Sequence, residues 1–142
     1  MPSPPPQPKP VPVPDEWTAP FWEAAARGSF VIQRCDHCQT YAHPPVFVCA
    51  SCHARDAAFT FAPVSGRAVV RSWTVVHTSF LTAFADDVPY VLVSAELPEQ
   101  DGLTYTARLV DGPDAPVRIG AELEVVFEPH DGGFVLPQLR LA

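Results

Sequence analysis

The 142-residue sequence predicts a mostly-β chain built from a short N-terminal helix, a metal-binding ribbon and a five-stranded barrel. Three observations predict it. Two C-x2-C pairs lie ten residues apart, an alanine-rich segment precedes them, and apolar runs separated by turn residues fill the last 80 positions. The elements follow in that order, behind a proline-rich start. Nine of the 18 prolines fall in the first 20 residues. Fixed φ and missing N–H donors keep such a run out of a core, so residues 1–14 are expected to be a disordered, extended tail. The tail contains P-x-x-P, yet the reading adopted is a spacer rather than an SH3-type ligand.

Residues 15–34 read as a helix and a lead-in strand. Thr18 is placed to cap the helix, Pro20 fits its first turn, Glu23 favours the same end, Ala24, Ala25 and Ala26 propagate it, and Gly28 stops it. A helix of about ten residues is not stable alone. Trp17, Phe21 and Trp22 must therefore pack, either on this chain or on a partner.

Residues 35–62 read as the ribbon, with Cys35, Cys38, Cys49 and Cys52 as metal ligands. Each C-x2-C turn brings two thiolates together, and two facing turns close a tetrahedral site at about 2.3 Å per Zn–S bond. Disulfides are disfavoured for a chain expected in a reducing compartment. His37, His43 and His53 read as solvated loop residues, because four thiolates already complete the tetrahedron. A closed four-thiolate zinc site has no position left for water or substrate, so the zinc is structural. Iron in the same cage would make a rubredoxin-like electron carrier, a role that needs little beyond the cage.

Residues 63–142 read as the barrel. The strand-like runs after Ala58 are 59–62, at the ribbon's end, and then 66–80, 90–97, 103–110, 122–128 and a last pair around Phe134 and 139–141. Asp101-Gly102, Asp111-Gly112-Pro113 and Asp131-Gly132-Gly133 punctuate them, and ELEVVFE alternates with period two. A long, bent first strand followed by a glycine-punctuated meander is the pattern of an OB-fold.

Sixteen acidic against nine basic residues gives −7, which disfavours nucleic acid and anionic membrane as partners. A nucleic-acid-binding ribbon and OB protein, the alternative function, would need Arg67, Arg71, Arg108, Arg118 and Arg140 gathered on one face. No run reaches the roughly 18 apolar residues of a membrane span, and no basic-then-apolar leader is present, so a cytoplasmic location is expected. The sequence holds no G-x-S-x-G elbow, Walker loop or G-x-G-x-x-G. His77 with Asp86 or Asp87 reads as structural rather than as a base with its orienter. Glu96 and Glu99 read as a solvated hairpin edge. Trp73, Phe80, Phe84, Tyr90 and Tyr105 read as core or protein interface rather than a base-stacking platform.

The runs FWEAAARGSFVIQRCDHCQTYAHPPVFVCASCHA (21–54), SWTVVHTSF (72–80), PYVLVSAEL (89–97), IGAELEVVFE (119–128) and LPQLRLA (136–142) carry a resemblance. Together they resemble the acyl-CoA-associated OB-fold family with a rubredoxin-like zinc ribbon, catalogued as domain of unknown function thirty-five. Gln39 and His53 stand where that family usually has glycine after the second and fourth cysteines. The resemblance implies a non-catalytic accessory subunit of a thiolase-fold or hydratase-type acyl-CoA enzyme, which it stabilises and whose substrate channel it helps to form. The anchors expected for that partner are Trp17, Phe21 and Trp22 on the helix and Phe80 and Phe84 in the loop 78–89. His77 and Tyr90, at the loop's two ends, are the residues expected to line an acyl-CoA channel.

Overall fold

The computed structural model describes Met1, Pro5 and residues 7–142; positions 2–4 and 6 of the expected tail lie outside the described residues. Helix α1 spans Ala19–Ala26, with Pro20 in its first turn. Thr18 holds the cap position but its side chain does not cap. With Thr18 in the αR region, its hydroxyl turns back and donates to Asp15 Oδ1 (2.8 Å), and Asp15 Oδ1 accepts the N–H groups of Trp17 (3.0 Å) and Thr18 (2.8 Å). The side chain that starts the helix is thus Asp15, whose acidity these bonds from Thr18 and Trp17 increase. Gly28 ends it at φ 72°, where its N–H reaches Ala25 O and the Ser29 N–H reaches Ala24 O, the paired bonds of a Schellman stop.

Strands β1 (Val31–Cys35), β2 (Tyr41–Ala42) and β3 (Phe59–Pro63) form an antiparallel sheet in the order β2-β1-β3. β1 pairs with β3 along its whole length, so it belongs to the ribbon; the expected boundary at 34/35 cuts through it. The barrel follows as β4 (Arg67–Val76), β5 (Tyr90–Glu96), β6 (Thr104–Arg108), β7 (Glu122–Pro129) and β8 (Val135–Leu141), in the order β6-β5-β4-β7-β8. The sheet curls until its edges nearly meet. Leu109, just beyond β6, bridges Leu139 of β8 in parallel, the Val110 N–H donates to Leu139 O (2.9 Å), and the Tyr105 hydroxyl donates to Pro137 O (2.8 Å). These contacts leave little edge backbone unpaired. β4 bends at a bulge where register passes from Val70/Ala95 to Ser72/Ser94, leaving Arg71 as the extra residue.

Alternation drives the burial: Val91, Val93 and Ala95 of β5 and Tyr105 and Ala107 of β6 point inward. Phe21 of α1 and Phe30, Val31 and Ile32 of the ribbon join the same core. Helix, ribbon and barrel therefore share one interior. Phe21 is 7% exposed and packs beside Phe30 and Tyr105, so the structure puts this expected partner anchor inside the chain. Ala24 on the same helix joins that core as well, and this packing holds a helix too short to be stable alone.

Candidate functional site

Cys35 ends β1 and Cys38 sits in the turn after it; Cys49 and Cys52 form the facing turn. The two turns repeat one geometry. The Gln39 N–H reaches Cys35 O (2.8 Å) and the His53 N–H reaches Cys49 O (3.0 Å), which forces Gln39 and His53 to positive φ, 65° and 55°. The Cys35 and Cys52 sulfurs lie 3.8 Å apart, the Cys38 and Cys49 sulfurs 3.5 Å, and all four fall within 4.8 Å of one another. A tetrahedron with Zn–S bonds of about 2.3 Å has S···S edges of about 3.8 Å, so the cage fits a zinc ion. The Thr40 hydroxyl and N–H stabilise the Cys38 thiolate and bring its pKa down to about 6. Cys52 receives the Ala54 N–H, yet burial and the other three cysteines push it up to about 11. Crowding of this kind is relieved by a dication at the centre. The four thiolates would hold zinc with no coordination position open, and the ion would fasten the ribbon.

His37 and His53 are exposed, as loop residues should be. His43 is not: it is half-buried between the rings of Phe21 (5.8 Å) and Tyr105 (5.1 Å), and burial lowers its pKa from 6.5. It joins helix, ribbon and barrel. Two glutamines that composition could not single out do similar work. Gln33, 2% exposed, donates to Val46 O (3.0 Å) and accepts the Val46 N–H (2.8 Å), pinning the Pro44-Pro45 loop to β1. Gln100, in the β5–β6 turn, does the same to the Tyr41 backbone (2.8 and 3.1 Å), clamping ribbon to barrel. Glu99 is no solvated edge residue either, because its Oε1 accepts the Ser65 N–H (2.7 Å) in the connection between the sheets.

The loop 77–89 separates its aromatics. Phe80 is 100% exposed and Leu81 51%, whereas Phe84, in a single 3-10 turn at Thr82–Phe84, is half-buried beneath Lys9 Nζ, 5.5 Å from its ring centre. On the ribbon side, Trp17 (41%) meets Phe47 (66%) edge to face at 4.5 Å, beside exposed Val48, while Trp22 packs against the core. Tyr90 and Arg108 wall a groove of about 340 Å³ at the barrel mouth, with Arg108 5.3 Å above the Tyr90 ring. His77 is exposed beyond the end of β4 and is not among that groove's walls. Asp87, weighed as its orienter, pairs with Lys9 (2.6 Å) and Arg108 (3.7 Å) instead. Tyr105, weighed for stacking, is core, and burial drives its phenol far above the ordinary 10. Three of the five arginines lie against acids: Arg140 pairs with Glu124, Arg67 faces the same Glu124 across β4 and β7, and Arg108 pairs with Asp87. Among the described residues no helix is long and apolar enough to cross a membrane.

Comparison with known proteins matches residues 22–57 to the ChsH2 rubredoxin-like zinc ribbon domain and residues 62–128 to the ChsH2 C-terminal OB-fold domain. A DUF35 domain-containing scaffold protein of Methanocaldococcus jannaschii is 34% identical over 106 residues, covering 72% of each chain. The probable enoyl-CoA hydratase alpha subunit of Thermomonospora curvata is 33% identical over 123 residues, which are 86% of this chain but only 37% of that protein. Among solved structures, a chain of the Ltp2-ChsH2(DUF35) aldolase superposes with a TM-score of 0.79 at 30% identity, covering 92% of this chain and 98% of that one.

Proposed function

This chain belongs to the DUF35 family, with a zinc ribbon and an OB-fold of the ChsH2 type, and on that premise we propose that it is a non-catalytic accessory subunit of an acyl-CoA enzyme. The partner we infer has a thiolase or related fold, and the subunit stabilises it and borders its acyl-CoA channel. The observation that carries this is the loop 77–89, which holds Phe80 wholly in solvent beside half-exposed Leu81. A large aromatic kept at the surface is the usual energetic centre of an interface, able to contribute about 2 kcal/mol or more once water is excluded. Trp17, Phe47 and Val48 supply a second apolar contact on the ribbon. Tyr90, at the foot of the loop, is the residue assigned to the channel wall, with His77 at the loop's other end as its companion. The names of relatives agree in kind: two are scaffold proteins, one a hydratase subunit, and one belongs to an aldolase.

The test is co-expression pull-down with candidate thiolase-fold and hydratase enzymes, using wild type, Phe80→Ser and Trp17→Ala. Capture by wild type with at least tenfold weaker capture by Phe80→Ser is expected. Equal capture by folded, zinc-replete Phe80→Ser would remove the loop from the interface, and no capture by any candidate would remove the partner class.

A further inference from the structure

The proline-rich segment does not simply trail away from the barrel. Lys9, the one lysine of the chain, places Nζ 2.6 Å from Asp87 Oδ2 and 5.5 Å from the centre of the Phe84 ring. Both partners belong to the loop 77–89. Residues 7–12 then pass over a groove of about 810 Å³, walled on the barrel side by Ala83, His130, Phe134 and Leu136. The segment spans the two loops at the barrel mouth, 77–89 and 130–134, and bridges the space between them without filling it. Pro8, Pro10 and Pro12 suit that task, since their fixed φ limits the entropy lost when the segment lies down and they offer no N–H donors to tie it elsewhere.

We propose that residues 7–12 form a displaceable strap, latched by Lys9 on Asp87, that restrains the loop 77–89 and must lift when a partner docks on that loop. The charges at the latch support this. Asp87 sits between two cations, Lys9 and Arg108, so releasing Lys9 leaves Asp87 still paired and the strap can open without stranding a charge. The latch is also weak in the way a displaceable contact requires. Lys9 is 46% exposed, and an ion pair so placed shifts an equilibrium by about twofold to fivefold. The strap covers Phe84 while Phe80 stays outside it, so a partner can engage Phe80 first and gain Phe84 as the strap leaves.

The competition with a partner rests on the accessory-subunit reading; the strap itself does not. Two measurements on the full zinc-loaded chain keep these apart. The first is amide exchange in wild type, Lys9→Glu and Lys9→Arg. Residues 80–90 and 130–135 are expected to exchange about twofold to fivefold faster in Lys9→Glu, with wild-type rates in Lys9→Arg and in the ribbon of all three. Unchanged exchange in Lys9→Glu overturns the strap. The second is affinity for the enzyme captured by co-expression, expected to be tighter for Lys9→Glu by the same factor. Faster exchange with unaltered affinity overturns the competition, and so does the absence of any binding enzyme, which defeats the accessory reading while the exchange result still decides the strap.

Discussion

Gln39 and His53 hold the left-handed backbone of the two cysteine turns without being glycine, a conformation that costs an ordinary residue about 1 kcal/mol. His53 is the cleaner test because it is exposed and its side chain makes no hydrogen bond among the described residues. His53→Gly should strengthen the ribbon by about 0.5–1 kcal/mol, read as slower zinc loss to a chelator at unchanged zinc content. A drop in stoichiometry would instead make His53 a ligand. His43 makes a different prediction, about pH. Burial lowers its pKa from 6.5, so between the lowered value and 6.5 the unfolded chain binds more protons than the folded one. Its contribution is complete above pH 6.5 and is lost as pH falls through the lowered value. Urea unfolding at saturating zinc should therefore show a steeper loss of stability below pH 6.5 in wild type than in His43→Phe, and equal slopes would clear His43 of the effect. The site was legible at the cysteines because C-x2-C spacing is a local constraint. His43 was not legible, because its surroundings are Phe21 and Tyr105, far away in sequence.

Among the elements, the strands could be read from period-two alternation and the turns from their Asp-Gly pairs, since both are local. What joins the elements is not local. Gln100 meets Tyr41 across 59 positions, and nothing in either neighbourhood announces the pair. Gln33 offers a faint signal as a polar residue inside the apolar run FVIQRC, and its burial at 2% shows why it stands there. The expected division at 34/35 falls inside β1 for the same reason, because a strand's partner decides which sheet it joins and β1 finds β3. Gln100→Ala should leave the Tyr41 N–H and C=O without their partner and cost about 1–3 kcal/mol in thermal or denaturant unfolding. Zinc content should not change. A loss below 0.3 kcal/mol would mean that water replaces the clamp at no cost.

On the scale of the molecule, the shared core makes zinc a stabiliser of the whole chain. Phe30, Val31 and Ile32 reach the barrel interior from a sheet whose end carries Cys35, and metal binding to such cages is worth on the order of 10–16 kcal/mol. Metal analysis should give one zinc per chain in a colourless protein, and chelation should unfold ribbon and barrel in a single transition. Barrel amides that stay protected after zinc loss would contradict that coupling. The central claim, an accessory subunit without chemistry of its own, is tested most directly by acyl-CoA turnover in three samples: the zinc-loaded chain, the captured enzyme alone, and the two together. The account predicts no turnover by the chain and a faster or longer-lived enzyme in the mixture. Turnover by the isolated chain at the rate of the mixture would contradict it.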